Sequence, residues 1–177
     1  MHIHGPVYYF ENPAYTGSKM DGTMRIVKGD LIQLALAGEF DVIVHGCNCF
    51  CAMGAGIARQ IKDKFPSAYQ ADLETGKGDK KKLGTYSKAK VQKNNERFII
   101  INGYIQYHYS GSGVLADYSA IDALFFQIQK KFPEKKIGYP RIGAGLAGGD
   151  WKKIGSIIDH RLEGENHTLV EYLGLQK

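Results

Sequence analysis

Cysteine occurs only three times in these 177 residues and tryptophan once. The cysteines, Cys47, Cys49 and Cys51, fall within five positions, and an odd, clustered set does not make a disulfide framework. A reduced, cytoplasmic setting is therefore expected. No apolar run approaches the roughly 20 residues of a membrane helix, so no membrane partner is expected. The opening Met1-His-Ile-His-Gly-Pro6 lacks the basic start and apolar stretch of a secretory signal. No Gly-Lys-Ser/Thr follows either glycine-rich stretch, which argues against an ordinary nucleotide triphosphatase.

What remains describes one domain of α/β type. A hydrophobic content of 44% excludes wholesale disorder, and the length suffices for a real core. The net charge of +5 favours anionic ligands weakly and names none. Residues 1–23, with Tyr8, Tyr9, Phe10 and Tyr15, read as an N-terminal extension or tag-like segment, and residues 24–177 as the domain. Strands are expected at Met24 to Lys28, Phe40 to His45, Thr85 to Val91, Phe98 to Tyr104, Lys136 to Tyr139 and Thr168 to Leu173. Helices are expected at Leu31 to Ala37, Gly56 to Phe65, Tyr118 to Phe132 and Trp151 to Leu162. Pro66 and Pro133 act as stops. Strands alternating with helices imply a three-layer α/β/α sandwich around a mixed, largely parallel central sheet.

Two glycine-rich loops carry the chemistry. The first follows Val42-Ile-Val44 and runs His45-Gly-Cys-Asn48 to Gly54-Ala55-Gly56-Ile57 at the head of a helix. The second follows Tyr139 and runs Gly143-Ala144-Gly145-Leu146-Ala147-Gly148. Glycines let backbone N–H groups approach an anion, and a helix N-terminus favours negative charge. Ligands of such sheets lie beyond the carboxyl ends of the strands, where both loops emerge. The second loop also matches a dinucleotide fingerprint, but that belongs in the first strand–helix unit, with most of the domain after it.

Other features stay open between a bland and a functional reading. His45 with the three cysteines could hold a metal, yet no second ligand pair converges in sequence, so no metal is expected. A cysteine nucleophile has no evident activating partner. The lysines from Lys77 to Lys93 read as a solvated loop. Only Tyr86 interleaves with them, so a nucleic-acid partner is not expected. Tyr104, Tyr107, His108 and Tyr109, before Ser110-Gly-Ser-Gly113, either cover a sugar or form a plain surface loop.

Met24-Arg-Ile-Val-Lys-Gly-Asp-Leu31, His45-Gly-Cys-Asn48 with Met53-Gly-Ala-Gly-Ile-Ala58, and Pro140-Arg-Ile-Gly-Ala-Gly-Leu146 with Trp151 resemble the macro domain family. The resemblance runs from about Met24 to Leu173. It is strongest to the branch holding the yeast ADP-ribose 1''-phosphate phosphatase and the vertebrate terminal ADP-ribose–glutamate hydrolase. It implies a partner, ADP-ribose or ADP-ribose 1''-phosphate, with no cofactor and a monomeric chain. Asp30 would accept from the adenine amino group beside Leu31. Gly54 to Ile57 and Gly143 to Gly148 would bracket the diphosphate. Asn48 would bond the distal ribose, with Tyr104 packed nearby.

The resemblance also bears on the reaction. In the glutamate-hydrolase relatives a lysine nucleophile and an aspartate stand where this chain has Tyr104 and Ala147. Neither residue can replace them. The phosphatase relatives carry a histidine where this chain has His45. His45, Asn48 and Asp150 are the expected catalytic set for removing the 1''-phosphate, with Asp150 as partner of His45 or as a helix cap. His45 as a buried structural histidine, a non-catalytic ADP-ribose reader and a hydrolase of protein-linked ADP-ribose are the alternatives.

Overall fold

The computed structural model describes residues 24–174; the expected extension at 1–23 lies outside the described residues. Six strands form one sheet in the order β1-β6-β5-β2-β4-β3. They are β1 (Arg25–Lys28), β2 (Val42–Asn48), β3 (Tyr86–Lys93), β4 (Glu96–Gln106), β5 (Ile137–Tyr139) and β6 (His167–Glu171). All neighbours pair in parallel except β3, which runs antiparallel to β4 at one edge. The mixed sheet and its helical layers match the expected α/β/α architecture.

The helices are α1 (Leu31–Leu36), α2 (Gly56–Lys64), α3 (Pro66–Leu73), α4 (Tyr118–Lys131) and α5 (Trp151–Arg161). Alternation along β2 decides which helices meet which side. Val42 and Val44 pack with Leu124, Phe125 and Ile128 of α4 and Ile154 and Ile158 of α5. Ile43 packs the other way, with Leu31 and Ile32 of α1, Ile61 of α2 and Ala68 of α3. Both faces of β2 and β4 are thus covered, which is why these strands are buried over most of their length.

Two local expectations need correction. Pro66 was expected only to stop a helix, but it also begins α3 at the first helical position, where its missing N–H and fixed φ cost nothing. The strand expected to end at His45 continues to Asn48, so His45 and Cys47 are strand residues. The β3–β4 connection falls where expected, with Asn94 and Asn95 both left-handed at φ 54° and 64°, a conformation that asparagine tolerates.

Tight packing of α4 on β4 sets a testable constraint. A Cβ at Gly103 would stand 2.3 Å from a methyl of Leu124, a side chain that is fully buried. Gly103→Ala is expected to cost about 1–3 kcal/mol through overpacking. Urea unfolding of the single variant and of Gly103→Ala with Leu124→Val should show that the smaller partner recovers part of the loss.

Candidate functional site

The five parallel strands end at one edge of the sheet, and their following loops meet there. Within that edge β2 and β5 are neighbours, yet β2 leads to α2 on one face and β5 to α5 on the other. That divergence is a topological switch point, the place where an open α/β sheet leaves a crevice. Both glycine-rich loops border it.

Their backbones suit an anion. α2 begins at Gly56 with Ala55 as N-cap and no capping side chain, so its first-turn N–H groups are free to meet a ligand. Gly56 itself takes φ 55°. In the second loop Gly148 N–H returns to Gly145 O at 3.0 Å and Gly149 N–H to Gly143 O at 2.7 Å. The loop closes into a compact turn, and the N–H groups of Gly145, Leu146 and Ala147 meet no backbone acceptor among the described residues. A Cβ at Gly54 or Gly145 would meet nothing within 4 Å. The protein's own packing therefore does not call for glycine at either position, whereas a close-lying ligand would.

A third wall comes from residues 107–116. Phe50, in the first loop, packs on Tyr107 and His108 with ring centroids 5.1 and 4.6 Å away. His108 stacks on Tyr109 at 4.4 Å. Beyond Gly113 the chain returns to the second loop, where Leu115 and Ala116 N–H donate to Ala147 O. The aromatic segment thus runs from one glycine loop to the other. At His108, the Ser110 backbone presents to Nδ1 a carbonyl at 3.0 Å and an N–H at 3.1 Å. The Ser110 backbone can thus satisfy Nδ1 in either tautomer.

The expected residues divide sharply by placement. Asp30 reaches the edge as the N-cap of α1, its Oδ1 accepting from Gln33 N–H at 3.0 Å, with Leu31 buried behind it. Asn48 organises the first loop: Oδ1 accepts from Phe50 and Ala52 N–H, and Nδ2 donates to Ala52 O. One N–H of that amide remains for a ligand. Asp150 caps α5 through Lys152 N–H at 2.9 Å. Leu146 projects outward, 84% exposed.

His45 and Tyr104 are not at the groove. His45 is 1% exposed and points towards α3, opposite the face that α5 covers, so it cannot pair with Asp150. Its Nε2 donates to Asn102 Oδ1 at 2.7 Å, an orientation set by Asn102 Nδ2 donating to Ala68 O. Burial pulls the imidazole down to about 4, the bond to Asn102 opposing only part of the shift. Tyr104 is equally buried, and its hydroxyl donates to Asp72 Oδ1 at 2.8 Å. Neither the expected proton-transfer role of His45 nor the expected ribose contact of Tyr104 fits these positions.

Beneath the loop lies a buried polar network that sequence reasoning missed. Lys82, grouped with the solvated lysines, is 6% exposed. Its Nζ donates to Cys49 O at 3.2 Å and lies 3.4 Å from Cys51 Sγ, 3.8 Å from Asp72 Oδ1 and 4.3 Å from the Tyr104 ring centroid. It pins the first loop from below. Burial pushes the Cys47 and Cys49 thiols up, keeping them protonated, which disfavours them as nucleophiles. Among the described residues no three His, Cys, Asp or Glu side chains converge as metal ligands.

The macro domain family model matches residues 44–158, a span holding both glycine loops and the aromatic wall. The chain belongs to the macro domain family. It is 36% identical over 141 residues to an uncharacterised 17.5 kDa protein of the tk-vs intergenic region of Enterobacteria phage T4, covering 77% of this chain and 88% of that one. A shorter match of 48 residues, 38% identical, joins it to an ADP-ribose 1''-phosphate phosphatase of Aspergillus oryzae, over 27% of this chain and 22% of the relative. Among solved structures, the Thermosipho africanus DarTG in complex with ADP-ribose superposes with a TM-score of 0.66 at 17% identity, over 90% of this chain and 44% of that one. No helix among the described residues of this macro domain is long and apolar enough to cross a membrane.

Buried, neutral His45 makes stability depend on pH. Its folded value near 4 lies below the unfolded value near 6.5, so the unfolded chain binds the proton more readily. Stability is complete above about pH 6.5 and falls as pH drops towards 4. The loss attributable to His45 should be on the order of 3 kcal/mol. His167, also lowered by burial, adds with the same sign. Urea unfolding at pH 7.5 and 4.5 should show a smaller pH effect in His45→Gln than in the wild type; an equal effect in both would refute the assignment.

Proposed function

We propose that this macro domain binds ADP-ribose 1''-phosphate at the switch-point groove and hydrolyses its 1''-phosphate ester. The observation that carries the reading is the pair of glycine loops, with backbone N–H groups facing an open crevice. A diphosphate needs donors at short range and no intervening side chains, and this pair supplies both. The short match to the Aspergillus oryzae phosphatase and the likeness to a structure solved with ADP-ribose support it.

In this reading the adenine amino group donates to the free carboxylate oxygen of Asp30, beside Leu31. The diphosphate lies between Gly54–Ile57 and Gly143–Gly148, and the distal ribose lies near Asn48. The 1''-phosphate then falls under the aromatic wall, within reach of His108. Water attacks phosphorus, the bond from phosphorus to the C1'' oxygen breaks, and that oxygen leaves as a hydroxyl. His108 Nε2 takes the proton from the water or supplies one to the leaving oxygen. We thus transfer to His108 the role expected of His45, and leave Asp150 as a helix cap.

Binding is tested first. Calorimetry should show one ADP-ribose site per chain. Asp30→Ala should weaken it by roughly 1.5–3 kcal/mol, the value of a hydrogen bond to a charged group. Gly145→Val should remove binding without unfolding the protein, because its side chain enters the space the diphosphate needs. A wild type that fails to bind ADP-ribose would end this reading.

Turnover is tested separately by phosphate release from ADP-ribose 1''-phosphate. His108→Ala should lower it by about 10²–10⁴-fold with little change in ADP-ribose affinity. His45→Gln should retain most of it at pH 7.5. Tight ADP-ribose binding without phosphate release would make the protein a reader instead.

A further inference from the structure

Positive charge is concentrated in one stretch of this sequence. Residues 77–97 carry eight Lys and Arg against Asp79 and Glu96, an excess larger than the +5 of the whole chain. The fold then divides these cations: Lys80 and Lys82 lie at the carboxyl edge, against Tyr107 and beneath the first loop, and Lys88, Lys90 and Arg97 belong to β3 and β4. Lys88 and Lys90 of β3 stand opposite Ile101 and Ile99 of β4, which pack against the α4 side of the sheet. Both lysines therefore come out on that side, and Lys88 Nζ lies 5.8 Å from the Phe132 ring centroid. Arg97, two residues before Ile99, emerges on the same face, and Lys135 arrives from the α4–β5 connection. Lys90, Arg97 and Lys135 rim a groove of about 530 Å³ floored by Val42, Ile99 and Phe132.

These cations outnumber the acid beside them, since Asp41 alone of the groove's lining residues is a carboxylate. All four are exposed, and among the described residues none is in an ion pair. The nearby carboxylates make other contacts. Asp41 Oδ2 accepts from Lys136 N–H at 2.8 Å, and the Glu96 carboxylate lies against Gly38. The partial negative charge at the carboxyl end of α4 is met by Lys130 and Lys131 in its last turn. Lysines on an open sheet edge commonly guard it against strand pairing, which accounts for Lys88, Lys90 and Lys93. It does not account for Arg97, on an inner strand, or for Lys135, on another element.

We propose that this groove is a second anion site, one that binds the phosphodiester backbone of a single-stranded nucleic acid. It lies at the amino ends of the parallel strands, so the 11 residues of β4, roughly 35 Å at about 3.3 Å each, separate it from the glycine loops. Same-face residues of β3 repeat every 6.6–6.8 Å or so, an interval suited to successive phosphates of an extended strand. An acidic peptide would have to leave main-chain N–H and C=O groups unpaired in a groove on the sheet face. A phosphodiester backbone brings no such groups. Phe132 is buried and offers no stacking platform. Binding therefore rests on phosphates alone and is indifferent to sequence, which removes the objection that aromatics do not interleave with these lysines.

Fluorescence anisotropy with a 20-nucleotide mixed-sequence DNA strand tests this on the full chain. Three to four phosphate contacts predict a slope of log K against log salt of about −2 to −3. Lys90→Glu with Arg97→Glu should weaken binding at least tenfold and flatten that slope, while ADP-ribose affinity by calorimetry stays unchanged. If the charge reversals unfold the protein, Lys90→Gln with Arg97→Gln should show the same loss. Absence of strand binding by the wild type at 50 mM salt overturns the proposal. So does a loss produced by Lys77→Glu with Lys81→Glu but not by the groove pair. Displacement by inorganic polyphosphate or polyglutamate more readily than by unlabelled strand, at equal charge, also overturns it. The strand-binding outcomes do not depend on whether ADP-ribose binds at the other edge.

Discussion

The ligand edge depends on two adjacent parallel strands whose helices leave in opposite directions. β2 and β5 pair directly, but α2 and α5 pack on opposite faces. The loops that follow the two strands therefore part to opposite faces, the arrangement that leaves a crevice in open α/β sheets. Glycine in those loops is a consequence as much as a cause. Larger residues at Gly54 or Gly145 would fit the protein and fill the crevice.

A loop that offers backbone N–H groups outward must be held by something behind it, and here that support is polar. Asn48 spends most of its amide on Phe50 and Ala52, and Lys82 fastens Cys49 O from below. Lys82 in turn lies near Asp72, whose other contact is the Tyr104 hydroxyl. Burying such charges is costly, and removing one partner leaves the other stranded. The arrangement ties the loop to three separate elements, α3, β4 and the segment before β3. Such tethering suits a binding site better than a core, because a misplaced N–H group loses its anion.

Strand and helix positions were legible because their signals are local. Val42 to Val44, the four-residue steps at Ile57, Ile61 and Phe65, and Asp30 before Leu31 each declare an element within a few residues. Pro66 misled because a proline that ends one helix can also start the next. His45 misled for a different reason. A strand residue's face follows from parity, but which helix covers that face follows from chain crossings dozens of residues away. Lys82 was hidden among Lys80 and Lys81, which it matches in every local respect. Only its contact with Cys49, 33 positions earlier, sets it apart. His108 was named among the aromatics that either cover a sugar or form a plain surface loop, but residue type alone did not show that the Ser110 backbone would face its Nδ1.

The two ends of the sheet attract anions by different physics. At the carboxyl ends the donors are backbone amides at fixed positions, which select a ligand by shape and reward one geometry. At the amino ends the donors are long, flexible side chains around an apolar floor, which sum charge and tolerate many geometries. Salt screens the second kind strongly, whereas short hydrogen bonds in a crevice are screened much less. The glycine loops carry few ionised groups of their own, so on the reading proposed above their anion would be held by backbone amides rather than by net charge.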